Sequence, residues 1–356
     1  MAKRSKKRRQ RRFRGSATGA LAIGAFVLVV LAAVALLATG RAKTFAAGAL
    51  RRVAADVPWL HRGGGTSEAA LSSAVPRLNP GGAALRSLAP SSGPIPFSFV
   101  DGHIFITAAL DGRPGTWLVD SGSNLTVVSP RVVDQAGCPT VNVEAKADPY
   151  GIERFVSIAR LSVGRAHAPL EVAGVMVKLE DQILRDDGVL VDGILGYDWL
   201  RKFRLQIDFP HRVLILLAPG PRAVPLPHRY RIPMRLVNGV PLVPVRVDDG
   251  PVGECLLDTG SNVVNLRWEF ARASGLRPGD TGIRPGPRIA GLGNSASTQA
   301  AVLDTLAIGP LVFRHVPVSL YAGEGVSAMF GNIGTALFRA GRLTLDPGNG
   351  ELIIEQ

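Results

Sequence analysis

The sequence predicts a mainly β protein of two similar lobes, carried behind one N-terminal transmembrane helix. Three observations predict it. Residues 95–356 are written twice over, short apolar runs are broken by Asp-Gly, Asn-Gly and Gly-Pro turns, and residues 17–39 form an uncharged apolar run. The 356 residues suffice for one large domain or two ordinary ones. With 46% hydrophobic residues a core can be buried. The 41 Gly and 26 Pro exclude a helical bundle and suit strands joined by many turns.

The apolar run Ala17 to Thr39 is long enough, at about 1.5 Å per residue, to cross a hydrocarbon core with some tilt. It exceeds the h-region of a secretory signal, and no clean small-residue cleavage site follows it, so an uncleaved signal anchor is expected; a cleaved signal is the competing reading. Residues 1–62 hold 14 Lys/Arg against the single acid Asp56, whereas the remainder carries 27 basic and 27 acidic side chains. The charge therefore sets topology, with the N-terminus cytoplasmic and the bulk of the chain outside in a single-pass inner-membrane arrangement. A balanced remainder argues against nucleic-acid binding. The expected division is a basic cytoplasmic tail (1–16), a transmembrane helix (17–39), a juxtamembrane segment and flexible linker (40–94), lobe 1 (95–220) and lobe 2 (221–356). The Gly/Ala/Ser/Pro-rich part of the linker reads as either a spacer or a pro-segment.

The repeat consists of six blocks in one order. Ile95–Gly102 recurs at Ile232–Gly239, and Trp117–Asn124 at Cys255–Asn262. Gly137 and Gly275 each lie 17 residues after the Asp of that second block. Leu161–Gly164 matches Leu306–Gly309, Ile194-Leu195-Gly196 matches Met329-Phe330-Gly331, and Leu205–Asp208 matches Leu343–Asp346. Within each copy, strands are expected at places such as His103–Leu110, Thr116–Val119, Thr126–Val128 and Val213–Leu217. A helix follows each Asp block. Ser129 caps the first, Pro130 opens it and Gly137 closes it; the second runs over Arg267–Ser274. Further short helices are expected near Asp198–Phe203 and Thr335–Phe338.

The chemistry sits in Asp120-Ser121-Gly122-Ser123 and Asp258-Thr259-Gly260-Ser261. Each follows an apolar strand, each Gly permits a tight turn, and hydroxyls flank each carboxylate as small donors that can fix its orientation. Alone, either motif reads as a turn. Two of them at matching repeat positions, each followed by an apolar-apolar-Gly block, point to a carboxylate pair.

On these residues both halves resemble the aspartic peptidases of the pepsin and retropepsin group. Asp120-Ser121-Gly122-Ser123-Asn124-Leu125 is similar to the pepsin signature with one residue removed. Gly193-Ile194-Leu195-Gly196-Tyr197-Asp198-Trp199-Leu200 is similar to the second signature of bacterial retropepsin-like proteins. The resemblance implies two pseudo-symmetric β-barrel-like lobes, with Asp120 and Asp258 meeting as catalytic acids at the twofold axis. It implies Ser121 and Thr259 exchanging hydrogen bonds across that axis, and psi-loop glycines at Gly196 and Gly331. It implies flaps near Tyr150-Gly151 and Leu292-Gly293, although Tyr150 follows Asp120 by only 30 residues and also reads as an exposed turn aromatic. The activity implied is aspartic endopeptidase, without metal or organic cofactor, acting on polypeptides with apolar residues at the cleavage site, in a monomeric catalytic unit. The alternative is an inactive two-lobed peptide-binding or scaffolding module of the same fold.

The remaining reactive residues are read as structural. The six His show no ligand spacing, and neither Ser123 nor Ser261 sits in a Gly-x-Ser-x-Gly elbow. Asp192 and Asp198 read as turn or helix-capping residues, Asp208 and Asp346 as turn starters. Cys138 and Cys255 fall at different repeat positions, which argues against a disulfide between them.

Overall fold

The computed structural model describes residues 91–141, 151–221, 228–291, 294–322 and 329–356. The apolar run 17–39, the tail before it and most of the linker lie outside these. Among the described residues no helix is long and apolar enough to cross a membrane.

Two eight-stranded sheets have the same order. The first runs Ser98–Val100, His103–Leu110, Arg113–Val119, Gly193–Leu195, Val127–Val128, Ala166–Met176, Ile152–Val163, Thr140–Val141. The second runs Arg235–Val237, Val240–Val247, Val252–Leu257, Gly331–Ile333, Val264–Arg267, Leu311–Tyr321, Thr298–Ile308, Arg284–Pro285. Each sheet folds back on itself, through Ala109 paired with Ser162 in one and Val245 with Ile308 in the other. This closure makes each lobe barrel-like and removes most of its free edge.

Local chemistry explains the hairpins. Val100 pairs with His103 across Asp101-Gly102, and Val237 with Val240 across Asn238-Gly239. Asp101 and Asn238 have φ of 46° and 51°, and the following glycines 87° and 82°. Positive φ at both central residues is the two-residue turn that matches strand twist, and Asp-Gly and Asn-Gly adopt it most readily. The helix Pro130–Ala136 starts on Ser129, whose hydroxyl accepts from Val132 N, and ends on left-handed Gly137. Its counterpart is Trp268–Ala273, one residue shorter at each end than the sequence pattern indicates.

One element has no sequence forecast. The helix Leu179–Asp187 buries Leu179 and Ile183 and ends on left-handed Gly188. Three apolar residues in nine, Leu179, Ile183 and Leu184, give too short a period to stand out.

The two lobes are not separate bodies. A six-stranded sheet takes Ile95–Pro96, Val213–Leu217 and Arg204–Asp208 from one half, and Arg342–Asp346, Glu351–Glu355 and Arg229–Pro233 from the other. Its central seam pairs the two copies of one repeat block, Leu205 with Leu345 and Ile207 with Leu343. On one face these four side chains are buried and join a hydrophobic cluster that continues into both lobes. Each such side chain contributes roughly 1.5–3 kcal/mol on burial. On the other face the seam is crossed twice by charge: Arg204 Nε meets Asp346 at 2.8 Å and Arg342 meets Asp208 at 2.7 Å. Asp208 and Asp346 do also open turns, accepting from His211 N and Asn349 N.

Burial pushes the Asp208 carboxyl up, but hydrogen bonds from Arg342 and His211 outweigh it and hold the group below its ordinary value. A depressed carboxyl stabilises the fold above its unfolded pKa and loses that contribution as pH falls through the folded one. Arg342→Met is therefore expected to cost about 1 kcal/mol at pH 7, limited by the partial exposure of Arg342. Denaturant titration at pH 7 and pH 2.5 checks this: the gap from wild type should shrink at the lower pH.

Candidate active site

Each strand that leads to an Asp is clamped by its neighbour. Arg113–Val119 runs parallel to Gly193–Leu195, and Asp120 N donates to Leu195 O at 3.0 Å. Val252–Leu257 runs parallel to Gly331–Ile333, and Asp258 N donates to Ile333 O at 3.0 Å. Both Asp backbones are thereby fixed before the chain turns.

The turns then lock to each other. Ser121 N donates to Thr259 Oγ1 (2.9 Å), and Thr259 N to Ser121 Oγ (3.0 Å). Ser121 Oγ donates to Leu257 O (2.7 Å), and Thr259 Oγ1 to Val119 O (2.9 Å). All four groups are buried, so each bond left unmade would cost about 1–3 kcal/mol. The lobes are held in register here, one residue from each carboxylate.

The glycines set the approach. A Cβ on Gly122 would stand 2.5 Å from Asp258 Oδ1, and one on Gly260 would overlap the Asp120 carboxyl group. Only the missing side chains let the carboxylates meet. Asp120 and Asp258 face one another closely enough for each to act on the ionisation of the other. Asp120 Oδ1 accepts from Gly122 N (2.8 Å) and Ser123 N (3.1 Å). Asp258 Oδ1 accepts from Gly260 N (3.0 Å), and its Oδ2 from Asn332 Nδ2 (3.0 Å). Burial raises both carboxyls above their ordinary range, and the charge of Asp120 pushes Asp258 further. Their titration belongs to the pair. Neither is sealed: both residues keep a half-buried, solvent-reaching face.

The cross-axis exchange implied for Ser121 and Thr259 is present, but the hydroxyls of the two turns bond elsewhere than to the carboxylates. Those of Ser121 and Thr259 serve the cross-lobe lock, while those of Ser123 and Ser261 donate to Leu125 O (2.7 Å) and Val263 O (3.2 Å). Carboxylate orientation comes instead from backbone N–H groups and Asn332. Donation to a nearby carbonyl is the ordinary local habit of Ser in a turn, and it wins here.

The psi-loop glycine of the second lobe is also corrected. Trp117, Leu118 and Val119 pair with Gly193, Ile194 and Leu195, whereas Leu256 and Leu257 pair with Asn332 and Ile333. Gly331 is thus the equivalent of Gly193, and Gly334 is the equivalent of Gly196. Gly196 and Gly334 precede Tyr197–Leu200 and the 3-10 turn Thr335–Phe338. A Cβ on Gly196 would meet the Leu125 carbonyl carbon at 2.6 Å, and one on Gly334 the Ser261 carbonyl oxygen at 2.6 Å. The three-residue slip arises because Met329-Phe330-Gly331 carries the apolar-apolar-Gly pattern, whereas the true block opens on the polar Asn332.

Two asparagines act across the axis without forecast. Asn124 Nδ2 donates to Asn238 O (3.2 Å), and Asn262 Nδ2 to Asp101 O (2.7 Å). Each Asp turn therefore holds the first hairpin of the opposite lobe. Both asparagines stand in the repeated Asp block, which was the signal available to find them.

Of the flap candidates, Tyr150, Leu292 and Gly293 lie outside the described residues. Gly151 has φ of 76° and precedes the strand Ile152–Val163. Ile289–Gly291 pairs antiparallel with Asn294–Ala296 on either side of Leu292 and Gly293. Asp192 receives Thr116 N and Arg131, tying the strand before Asp120 to the neighbouring helix. Asp198 receives Thr126 Oγ1 and Trp199 N, and burial pushes its carboxyl up. Cys138 and Cys255 are free thiols. Among the described residues no three His, Cys, Asp or Glu side chains stand together as a metal site.

Paired lobes with an interlocked Asp turn in each define an aspartyl protease domain. The Aspartyl protease family model matches residues 106–199 and 243–334, one stretch in each lobe with its Asp, and the chain belongs to that family. Among relatives, the human Protein DDI1 homolog 1 is 29% identical over 141 residues, 38% of this chain and 33% of that protein. DNA damage-inducible protein 1 of Candida glabrata is 30% identical over 115 residues, 31% of this chain and 25% of that protein. The chain thus spans about a third or less of the length of these relatives, which are eukaryotic rather than bacterial. The solved aspartic proteinase from Irpex lacteus aligns at a TM-score of 0.45 with 12% identity, over 75% of this chain and 97% of that one.

Proposed function

We propose that the chain is an aspartic endopeptidase whose two lobes supply one carboxylate each. The observation that carries this reading is the reciprocal placement of Asp120 and Asp258, each seated against the glycine of the opposite turn. Two carboxyl groups this close share one proton. The ionised member takes a proton from a bound water while the protonated member gives its proton to the scissile carbonyl oxygen. Water oxygen bonds to the carbonyl carbon, giving a tetrahedral diol and no covalent enzyme intermediate. Collapse breaks the C–N bond as the amine receives a proton from the pair. The interlock of Ser121 and Thr259 holds both acids in place through these steps.

The substrate in this reading is an extended polypeptide with apolar residues about the cleavage site. The apolar run 17–39 and the nine basic residues before it support tethering to the membrane with the lobes on the outer side. Envelope and membrane-proximal proteins are then the accessible targets.

Activity requires the singly protonated pair. It rises with pH through the lower apparent pKa and falls through the upper one, and burial places that falling limb above the ordinary carboxylate range. The full chain in detergent is therefore expected to cleave casein with a bell-shaped profile between about pH 3.5 and 7.5, and to be blocked by pepstatin. Pepstatin binding without cleavage of casein or a peptide library would favour the peptide-binding module. Release of the chain from membranes by carbonate wash would contradict the tether.

A further inference from the structure

The two lobes differ at one pair of positions beside the dyad. In lobe 1, Val127 faces Ile194, both apolar and buried. At the equivalent positions of lobe 2, Asn265 faces Asn332. Asn265 Nδ2 donates to Asn332 Oδ1 at 3.0 Å, which turns the Asn332 amide nitrogen towards Asp258 Oδ2, also at 3.0 Å. Asn265 is buried, and its own Oδ1 has no hydrogen-bond partner among the described residues. Leaving a buried amide oxygen unpaired is unfavourable. Lobe 1 shows that strand pairing at this place does not require polar residues.

Backbone donors explain the need. In lobe 1 both Gly122 N and Ser123 N reach the Asp120 carboxylate. In lobe 2 only Gly260 N does so, because Ser261 N donates to the Asp258 main-chain carbonyl at 3.3 Å. We propose, resting on the peptidase reading of the dyad, that Asn332, oriented by Asn265, is a positioning residue that replaces the missing donor and holds the outer oxygen of Asp258. An amide nitrogen only donates, so it favours the ionised carboxylate.

Titratable and charged groups on the flanking strands already have partners. His103 Nδ1 is bound to Asp187 Oδ1 at 2.7 Å. Glu254, on the strand beside Asn332, is paired with Arg235, and Arg267, on the strand of Asn265, with Glu269.

The consequence does not depend on where the shared proton sits. From the doubly protonated to the doubly ionised pair, Asp258 loses its proton whichever acid goes first. Removing the Asn332 donor must therefore raise the sum of the two apparent pKa values. The test is a ¹³C-carboxyl NMR titration of the full chain in detergent, with Asp120 and Asp258 assigned through their Asn variants. Asn332→Ile, which installs the lobe 1 residue, is expected to raise the sum by about one unit. Asn265→Val is expected to raise it less, in the same direction, and decides the matter if Asn332→Ile does not fold. An unchanged sum overturns the proposal. A lowered sum does too, since it would mean that the side chain accepts from a protonated Asp258. The titration needs no turnover, so an inactive wild-type chain would count against the peptidase reading alone.

Discussion

Asp120→Asn and Asp258→Asn are each expected to lower kcat on casein by about 10⁴-fold, to background. An amide cannot ionise, and it cannot pass a proton and recover it, so the survivor has no partner for acid–base exchange. The two losses should not add. The pair acts as one unit, and the double variant should be no slower than either single one. Both variants should fold, since Asn is isosteric with Asp and keeps an oxygen for the N–H groups of Gly122 and Gly260. Relief of the desolvation that raises both carboxyls should leave them as stable as wild type above neutral pH. A single Asn variant that retains a tenth of wild-type activity would remove that residue from the chemistry.

The second large effect belongs to the interlock. Thr259→Val leaves Ser121 N without its acceptor and Val119 O without its donor, both in buried surroundings. The expected loss is about 2–4 kcal/mol in denaturant titration. Ser121→Ala should cost a similar amount, through Thr259 N and Leu257 O. The four bonds form one ring, so the double variant should fall short of the sum by about 1–2 kcal/mol. Activity should fall further than stability alone explains, because the two acids sit one residue from the ring and small displacements are costly. Thr259→Ser is the control. It installs the residue that lobe 1 uses at the same place and should cost under about 1 kcal/mol. A small loss for Val beside a large one for Ser at 259 would show that the methyl group, and not the hydroxyl, matters.

What the sequence made legible was local. Asp101-Gly102 and Asn238-Gly239 encode their turns in two residues, and Ser129-Pro130 with Gly137 brackets a helix. The paired Asp blocks stood out because the repeat placed them at equivalent positions. The features that escaped depend on which distant segment lies alongside. Leu205–Asp208 and Leu343–Asp346 were visible as a repeat, yet alternation of apolar residues does not say that the two copies pair with each other. Asn124 and Asn262 were visible in the motif, but their acceptors are 114 and 161 residues away along the chain. The slip at Gly331 has a sharper cause. A search for apolar-apolar-Gly rejects Asn332-Ile333-Gly334 because of the one residue whose polarity serves Asp258. The targets of the Ser123 and Ser261 hydroxyls escaped because a side chain with several acceptors in reach is decided by geometry, which the residue type leaves open.

The dyad is proposed to lie within one chain, which supplies both acids of a single site. This is tested most directly by refolding Asp120→Asn and Asp258→Asn chains together and assaying casein cleavage beside wild type. If the dyad is intramolecular, every chain in the mixture carries one dead carboxylate, and the mixture stays at background. If the site forms between two chains, mixed pairs would bring an intact Asp120 to an intact Asp258. Recovery of a sizeable fraction of wild-type activity would then contradict the account.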